Sequence, residues 1–351
     1  MVEVDPAQLR NAAAGLRADV IPGLKSIADR FQTGYLLDQP GMGIAGSFVE
    51  AYYLQVAAYH LANLQAGVTV VEAVARGLDI TVRNYEHNEN VNATNLLAAP
   101  MAQDSAPGYW SSYGDAGMWR GHDTDIHSTA GGLFGAIDLT VMGAAEMMAL
   151  MCAVLAPPAV VVPIVAVLLT ANLGSMLSVA NTLDAIASDL DAPPIKAFND
   201  YTVGPNGATV GWKDSSKTGF ETVAQNIWGE LGQVRDGIKL LADFLRAVAT
   251  VYTGLWSFFV GFIPALLATL TAEDATVVGA PVAEAEGAAA SGIAGGAFAA
   301  VMAALGTLIT AAGGFMVTTS TGLNTFDFGA NSKADNIPDL KQLKIEWVTT
   351  T

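Results

Sequence analysis

The densest group of side chains that could do chemistry lies between His122 and His127, where His-Asp-Thr-Asp-Ile-His offers four potential metal ligands in six residues. Two histidines five residues apart do not share a helical face, because neighbours on a helix are three or four residues apart. No cysteine or third histidine lies nearby to complete a zinc site. We therefore interpret this segment as a solvated linker and expect no bound metal.

Other reactive residue types are isolated along the chain. Cys152 lies in an apolar run without a nearby acid or histidine to activate it, so it is expected to pack as a small apolar residue. Glu146 borders the same run, and a carboxylate at a helix end in water is favoured over a functional intramembrane carboxylate. Gly204-Pro-Asn-Gly207 is a turn without the lysine of a phosphate-binding loop. These residues predict neither catalysis nor a cofactor, so we expect no enzyme.

The composition combines a low charge content with a strong excess of acid. The chain has 351 residues, of which 52% are hydrophobic and 14% are charged, and its formal net charge is −17. A surface this acidic repels phosphate, which argues against nucleic-acid binding. The apolar content exceeds that of disordered chains. The opening residues carry Glu3 and Asp5 where a secretory signal peptide would carry positive charge, so no Sec-type signal is expected.

Three long stretches contain no charged residue. They lie between Glu146 and Asp184, between Arg246 and Glu273, and between Glu286 and Asp327. Each exceeds the roughly 20 residues that a helix needs to cross the hydrocarbon layer of a bilayer. The first stretch is flanked by acidic residues and not by the Lys or Arg that orients an ordinary membrane span, which favours a chain that is first soluble.

Residues 1–95 are predicted to form an antiparallel hairpin of two long helices. Asp5-Pro6 is an N-cap followed by proline at the first helical position, and apolar residues then recur every three or four positions as far as Phe31. A second apolar stripe runs from Phe48 to Tyr85. The turn between the two helices includes Gly41 and Gly43, which we assign to the hairpin tip.

Residues 131–272 are predicted to form a second, longer helical hairpin after a linker at 96–130. Its first arm ends near residue 190 and is interrupted by Pro157-Pro158 and Pro163. Its tip, at 201–213, includes Trp212. The returning arm alternates apolar and polar faces up to Arg246 and is apolar on all sides beyond it, which predicts a membrane or oligomer contact through three aromatic residues, Trp256, Phe259 and Phe262.

Residues 285–326 are predicted to form a further apolar helical segment that is rich in alanine and glycine, followed by a polar tail at 327–351. Gly292 and Gly296 have the GxxxG spacing that lets two helices approach closely, and we assign them to the same membrane or oligomer contact. The predicted fold class is therefore all-α, with tandem antiparallel helical hairpins and long apolar helices.

The first hairpin resembles the WXG100-like substrates of actinobacterial type VII (ESX) secretion. The resemblance rests on two long helices with a glycine-bearing tip, on the opening Val-Asp-Pro-Ala-Gln-Leu at residues 4–9, and on Tyr85-Glu-His-Asn-Glu89 at the expected end of the second helix. In that family a YxxxD/E sequence at this position is part of the secretion signal. The resemblance implies that Tyr85 and Glu89 form such a signal, that the type VII secretion machinery is a partner, and that the protein is secreted or associated with the cell envelope.

Several residues depart from the family pattern. Gly41-Met-Gly43 stands where the family has a tryptophan, and the signal ends in glutamate instead of aspartate. A literal W-x-G occurs at Trp119-Arg-Gly121, before the second hairpin, and Trp212-Lys-Asp214 matches only in part. The whole arrangement also resembles the channel-forming N-terminal region of mycobacterial channel and toxin proteins. No toxin domain is expected in the 25 residues after Phe326, which are too few for an independent core.

Two functions follow from these expectations. The first is a type VII secreted helical protein that associates with or inserts into membranes, as a pore or another oligomeric assembly. The alternative is a soluble secreted chaperone or adaptor whose apolar helices are covered by partner subunits, either a WXG100 protein or further copies of this chain. The two differ in whether lipid or protein covers the apolar surface.

Overall fold

The computed structural model describes residues 5–87, 139–213, 215–274 and 280–322, and within these ranges the chain forms helices and no strand. The all-α prediction is confirmed. The helices are α1 (Pro6–Gly15), α2 (Ile21–Gly34), α3 (Ser47–His87), α4 (Leu139–Leu155), α5 (Val161–Leu168), α6 (Leu173–Leu190), α7 (Lys196–Thr202), α8 (Ser215–Asp274) and α9 (Ala280–Gly322). The predicted linker at 96–130, the tail at 327–351 and the His122–His127 segment lie outside the described residues.

The first helix begins as the sequence predicts. Asp5 is the N-cap of α1, and its Oδ1 accepts a hydrogen bond of 2.9 Å from the backbone N–H of Ala7. A π-helical turn, Leu16–Val20, joins α1 to α2 directly before Pro22. Proline has no N–H to complete the regular hydrogen-bond ladder, so the helix widens at this point and then continues.

Helices α1 and α2 pack along α3 in the opposite direction. Arg17 of α1–α2 pairs with Asp79, and Lys25 pairs with Glu72 at 2.8 Å, so residue numbers rise on one side as they fall on the other. The predicted apolar stripe faces α3 and its members are all buried: Leu9, Ala13, Leu16, Val20, Leu24, Ile27 and Phe31. An antiparallel helix pair is therefore present in this segment.

The predicted arm that ends near residue 190 is broken at Pro157-Pro158, where the chain folds back so that α5 packs on α4. Glu146, in the middle of α4, accepts a hydrogen bond from Thr170 beyond α5, while Cys152 near the end of α4 lies against the backbone of Ile263 on α8. A 3₁₀ turn, Pro157–Val160, then reverses the chain into α5. Its two prolines cannot continue the α4 hydrogen-bond ladder, which explains the reversal.

The longest helix, α8, packs on different helices in its first and second parts. Its 60 residues correspond to a length of about 90 Å. Its first part packs on α6 and α3, and its second part packs on α4 and α9. The apolar stripe predicted for its first part is confirmed, since each member is buried: Phe220, Val223, Ile227, Leu231, Val234, Ile238, Leu241, Leu245 and Val248.

Two parts of the molecule differ sharply in charge. We define the ion-paired half as α1–α3, α6, α7 and residues 215–246 of α8. We define the apolar half as α4, α5 with the turn between them, residues 247–274 of α8, and α9. Within its described residues the apolar half contains five charged side chains, all of them carboxylates: Glu146, Glu273, Asp274, Glu284 and Glu286.

Candidate membrane-binding surface

The tip of the first helix pair lies at the boundary between the halves. Gly43 has a φ of +72°, and a Cβ at this position would lie 2.1 Å from the carbonyl oxygen of Thr170. Gly41 has a φ of +58°, and its carbonyl oxygen accepts a hydrogen bond of 2.8 Å from the N–H of Asn172. Both conformations favour glycine, and the close approach to Thr170 requires it. The tip is therefore docked on the α5–α6 connection.

Two side chains of α8 complete this junction. The Tyr252 hydroxyl donates a hydrogen bond of 2.7 Å to the carbonyl oxygen of Met42, and Trp256 Nε1 donates one of 3.0 Å to that of Leu169. Both side chains are fully buried. These bonds satisfy buried backbone groups and hold the tip in register, so the junction is a fixed boundary. Phe48, the predicted start of the α3 stripe, remains partly exposed beside it.

The α4–α5 hairpin carries large apolar side chains on its outer side. The four on α4 are spaced at three or four residues, which places them on one helical face. Between 48% and 74% of each side chain is exposed. We call the set the outer apolar face: Met147, Leu150, Met151, Val154, Val160, Ile164 and Val167. Soluble monomers rarely expose this many large apolar side chains together, so the face indicates an interaction surface.

Two aromatic residues assigned to the membrane or oligomer contact need correction. Trp256 and Phe259 have no exposed surface within the chain. Trp256 bonds to Leu169 at the α5–α6 connection, and the Phe259 ring lies 5.9 Å from the Trp256 ring between centroids. Phe262 is half-buried, and Phe258 is 41% exposed and stacks on it at 5.1 Å between ring centroids. Phe258 is therefore the aromatic residue that this stretch presents on the surface.

Two glycines of α9, Gly292 and Gly296, lie on its outward side. Gly292 and Gly296 are exposed, and a Cβ added at either position would meet no neighbouring atom. The opposite face packs on the α4–α5 turn, where Gly287 lies close to Ala156 and Ala159. Among the described residues, Gly292 and Gly296 therefore contact no other helix, and the face that carries them is exposed.

The other predicted site residues fall in different surroundings. Trp212 is buried and packs on Phe220 at 5.6 Å between ring centroids, so it belongs to the core and not to an exposed tip. Tyr85 lies in the last turn of α3, which ends at His87. Glu89 lies outside the described residues. Cys152 is buried, as its apolar surroundings predict.

Several ion pairs in the ion-paired half join different helices. Arg246 is almost fully buried, and its guanidinium pairs with Asp184 on α6 and, at 3.1 Å, with Asp243. Arg30 on α2 pairs with Asp189. Arg246 is also the last cation before the charge-free part of α8. The boundary in sequence composition is thus also a boundary in packing.

His60 lies at the α3–α8 contact of the ion-paired half. It is fully buried, and its ring faces Gly237, where a Cβ would lie 2.1 Å from a ring carbon. Burial lowers the pKa of His60 from 6.5 to about 3, because the charged ring would lose its hydration. The imidazole is therefore neutral in the folded protein throughout the physiological pH range.

Sequence reasoning assigned the apolar contact to α8 and α9 and missed the outer apolar face. Nearly every residue of α4 and α5 is apolar, so periodicity carries no information about which side is covered. The long charge-free stretch after Glu146 was the available signal. No family model, curated protein or solved structure matches the chain.

Proposed function

We propose that the protein associates with lipid bilayers through the outer apolar face and that its apolar half is the membrane-associated part. The observation that carries this proposal is the exposure of seven large apolar side chains on a hairpin with no charged residue from Met147 to Leu168. Water is a poor environment for such a face, whereas the acyl region of a bilayer accepts it without unpaired polar groups.

The described chain also contains enough apolar helix to cross a bilayer. By length and composition, helical segments at 157–202, 217–273 and 281–311 could each span a membrane. The segment in α9 is the least covered of the three by the rest of the chain. Association through the outer apolar face requires no rearrangement, because these side chains are already exposed. Spanning requires α8 and α9 to leave their present neighbours.

Liposome flotation of paired variants tests the proposed surface. Val154→Asp combined with Ile164→Asp places two carboxylates on the outer apolar face and should reduce flotation roughly tenfold or more, since a charge in hydrocarbon costs a few kcal/mol. Circular dichroism should remain unchanged because both positions are exposed.

The matched control is Trp228→Asp, which alters a side chain that is 46% exposed in the ion-paired half. This variant should float like the original protein. Unchanged flotation of the double variant, or an equal loss in the control, would contradict a membrane contact through the outer apolar face.

Delivery by type VII secretion is the route that we propose, on the basis of the resemblance of residues 1–95 to that family. Tyr85→Ala should abolish export without unfolding the protein, because Tyr85 lies at the end of α3. Thr69→Ala, at an exposed position of the same helix, is the control. Immunoblots of culture supernatant and cell lysate compare the two. Normal export of a folded Tyr85→Ala protein would exclude this residue from the signal.

A soluble adaptor is the second candidate, and one observation favours it. Two large aromatic side chains of the apolar half, Trp256 and Phe259, are covered within the single chain, as expected for a protein that functions in water. A partner helix would then occupy the outer apolar face. Light scattering without lipid separates the candidates: a stable dimer or larger assembly that does not float with liposomes supports the adaptor.

A further inference from the structure

Two methionines belong to the outer apolar face, and they lie next to each other on α4. Met147 and Met151 are four residues apart, so their side chains occupy one side of the helix. The two residues are 64% and 56% exposed. Leu150 and Val154 are their neighbours on the same face. Two thioether groups are therefore part of the surface that is proposed to meet lipid.

The other sulfur-bearing side chains that the structure describes are less accessible. Three methionines are fully buried and two are partly buried against the core: Met42, Met142 and Met176 in the first group, and Met148 and Met302 in the second. Cys152 follows Met151 in the sequence but is fully buried, and its Sγ lies 4.0 Å from the carbonyl oxygen of Ile263. Within the described part of the chain, a reagent dissolved in water therefore reaches Met147 and Met151 first.

A thioether is oxidised by hydrogen peroxide without help from another side chain. The sulfur attacks one peroxide oxygen, so that an S–O bond forms as the O–O bond breaks, and the second oxygen leaves as water with both protons. The sulfur gives up two electrons, which the peroxide gains, and the product is methionine sulfoxide. Access to the sulfur is the main requirement. Met147 and Met151 meet it, whereas the aliphatic members of the face have no group that reacts in this way.

Oxidation makes the outer apolar face polar at two neighbouring positions. The sulfoxide oxygen accepts hydrogen bonds from water, and both side chains remain solvated in the free protein. The residues three and four positions away on α4 carry no side-chain donor that could replace this water: Gly143, Ala144, Met148, Leu150, Val154 and Leu155. A sulfoxide moved into hydrocarbon there would lose its hydrogen bonds, which opposes membrane contact.

We propose that Met147 and Met151 form a peroxide-sensitive site that controls the membrane contact of the outer apolar face. The form with two thioethers associates with the bilayer, and the form with two sulfoxides stays in water. This inference rests on the proposed membrane association and adds its regulation. The change is reversible, because a reductase that uses a dithiol returns each sulfoxide to the thioether. The oxygen then leaves as water, and the dithiol becomes a disulfide.

Peptide mass mapping after mild treatment with hydrogen peroxide tests the chemistry. The full-length protein is oxidised, freed of peroxide with catalase and digested with pepsin. Peptides from α4 should gain one oxygen atom at Met147 and one at Met151 before peptides with Met42, Met142 or Met176 gain any. Circular dichroism should remain unchanged, because the two oxidised side chains are exposed.

Flotation with phosphatidylcholine vesicles tests the consequence for membrane contact. The protein with sulfoxides at Met147 and Met151 should float roughly tenfold less than the untreated protein, because two polar groups would lose their water in the bilayer. Treatment with methionine sulfoxide reductase and dithiothreitol should restore flotation.

Leucine variants assign the effect to these two residues. Met147→Leu with Met151→Leu keeps the size and apolar character of both side chains, so this variant should float like the original protein before and after peroxide. Met148→Leu with Met302→Leu is the matched control, since it removes two methionines that are less exposed. The control should lose flotation after peroxide as the original protein does.

Failure of the oxidation site and failure of the membrane association give different results. Three results overturn the site and leave the association standing: slower oxidation of Met147 and Met151 than of the buried methionines, unchanged flotation of the doubly oxidised protein, or an equal loss of flotation in Met147→Leu with Met151→Leu. Failure of the untreated protein and of this leucine variant to float overturns the association itself.

Discussion

Residues 215–246 and 247–274 of α8 belong to one continuous helix, yet they lie in two different environments. The first part buries an apolar stripe and pairs its charges with other helices, as Arg246 does with Asp184. The second part buries an apolar face of the same kind but carries no charged side chain on its outer face before Glu273. The two parts of α8 therefore share a buried apolar face and differ in the outer face, which is charged in the first part and uncharged in the second.

The junction between the halves explains how they are kept together. The tip at Gly41–Gly43 contacts the α5–α6 connection, and Tyr252 and Trp256 hydrogen-bond to backbone carbonyl groups on either side. Such specific bonds fix the register of the first helix pair on α8. These bonds therefore hold the two halves in one arrangement.

The largest expected effect is a loss of stability when a charge is placed in the core of the ion-paired half. Ile238 is fully buried, so Ile238→Asp would bury an unpaired carboxylate and should lower the free energy of unfolding by about 3 to 5 kcal/mol. Lys239→Asp, at the adjacent exposed position, should change it by less than about 0.5 kcal/mol. Thermal unfolding followed by circular dichroism measures both. Equal midpoints would show that this face of α8 is not core.

A smaller effect concerns the acid response of the ion-paired half, in which His60 is fully buried. Because the folded pKa of His60 is about 3 and its unfolded value about 6.5, the unfolded chain binds a proton that the folded protein does not. The free energy of unfolding should therefore fall by up to about 1.4 kcal/mol per pH unit as the pH drops below 6.5. Chemical denaturation between pH 7 and pH 5 measures this slope.

The control for that prediction is His60→Gln, which should flatten the slope between pH 6.5 and pH 5, above the range in which ordinary carboxyl groups titrate. A slope that persists in the variant would remove His60 as its cause.

The smallest effect concerns the open face of α9. Gly296→Ala should raise the free energy of unfolding by about 0.5 to 1 kcal/mol, since alanine is the better helix former and a Cβ there meets no atom. Gly287→Ala is the contrasting variant, because its Cβ would lie 2.9 Å from the Ala156 methyl and should destabilise. Destabilisation by Gly296→Ala would mean that its face is covered.

The local features of the ion-paired half could be predicted from sequence. The Asp5-Pro6 cap, the stripe from Leu9 to Phe31 and the stripe from Phe220 to Val248 all match the structure. Apolar and polar residues alternate there with the helical period, so the sequence pattern also indicates which side of each helix faces water. The all-α class and the long apolar helices follow from the same signal.

The buried and exposed sides of helices in the apolar half could not be predicted in this way. These helices are apolar on every side, so their sequences show no alternation of polar and apolar residues. Trp256 and Phe258 have similar local sequence environments, but only packing on α4 and the α5–α6 connection buries the first and leaves the second exposed. Sequence alone determined the helices and their charge, whereas tertiary contacts decided which apolar surface remains open.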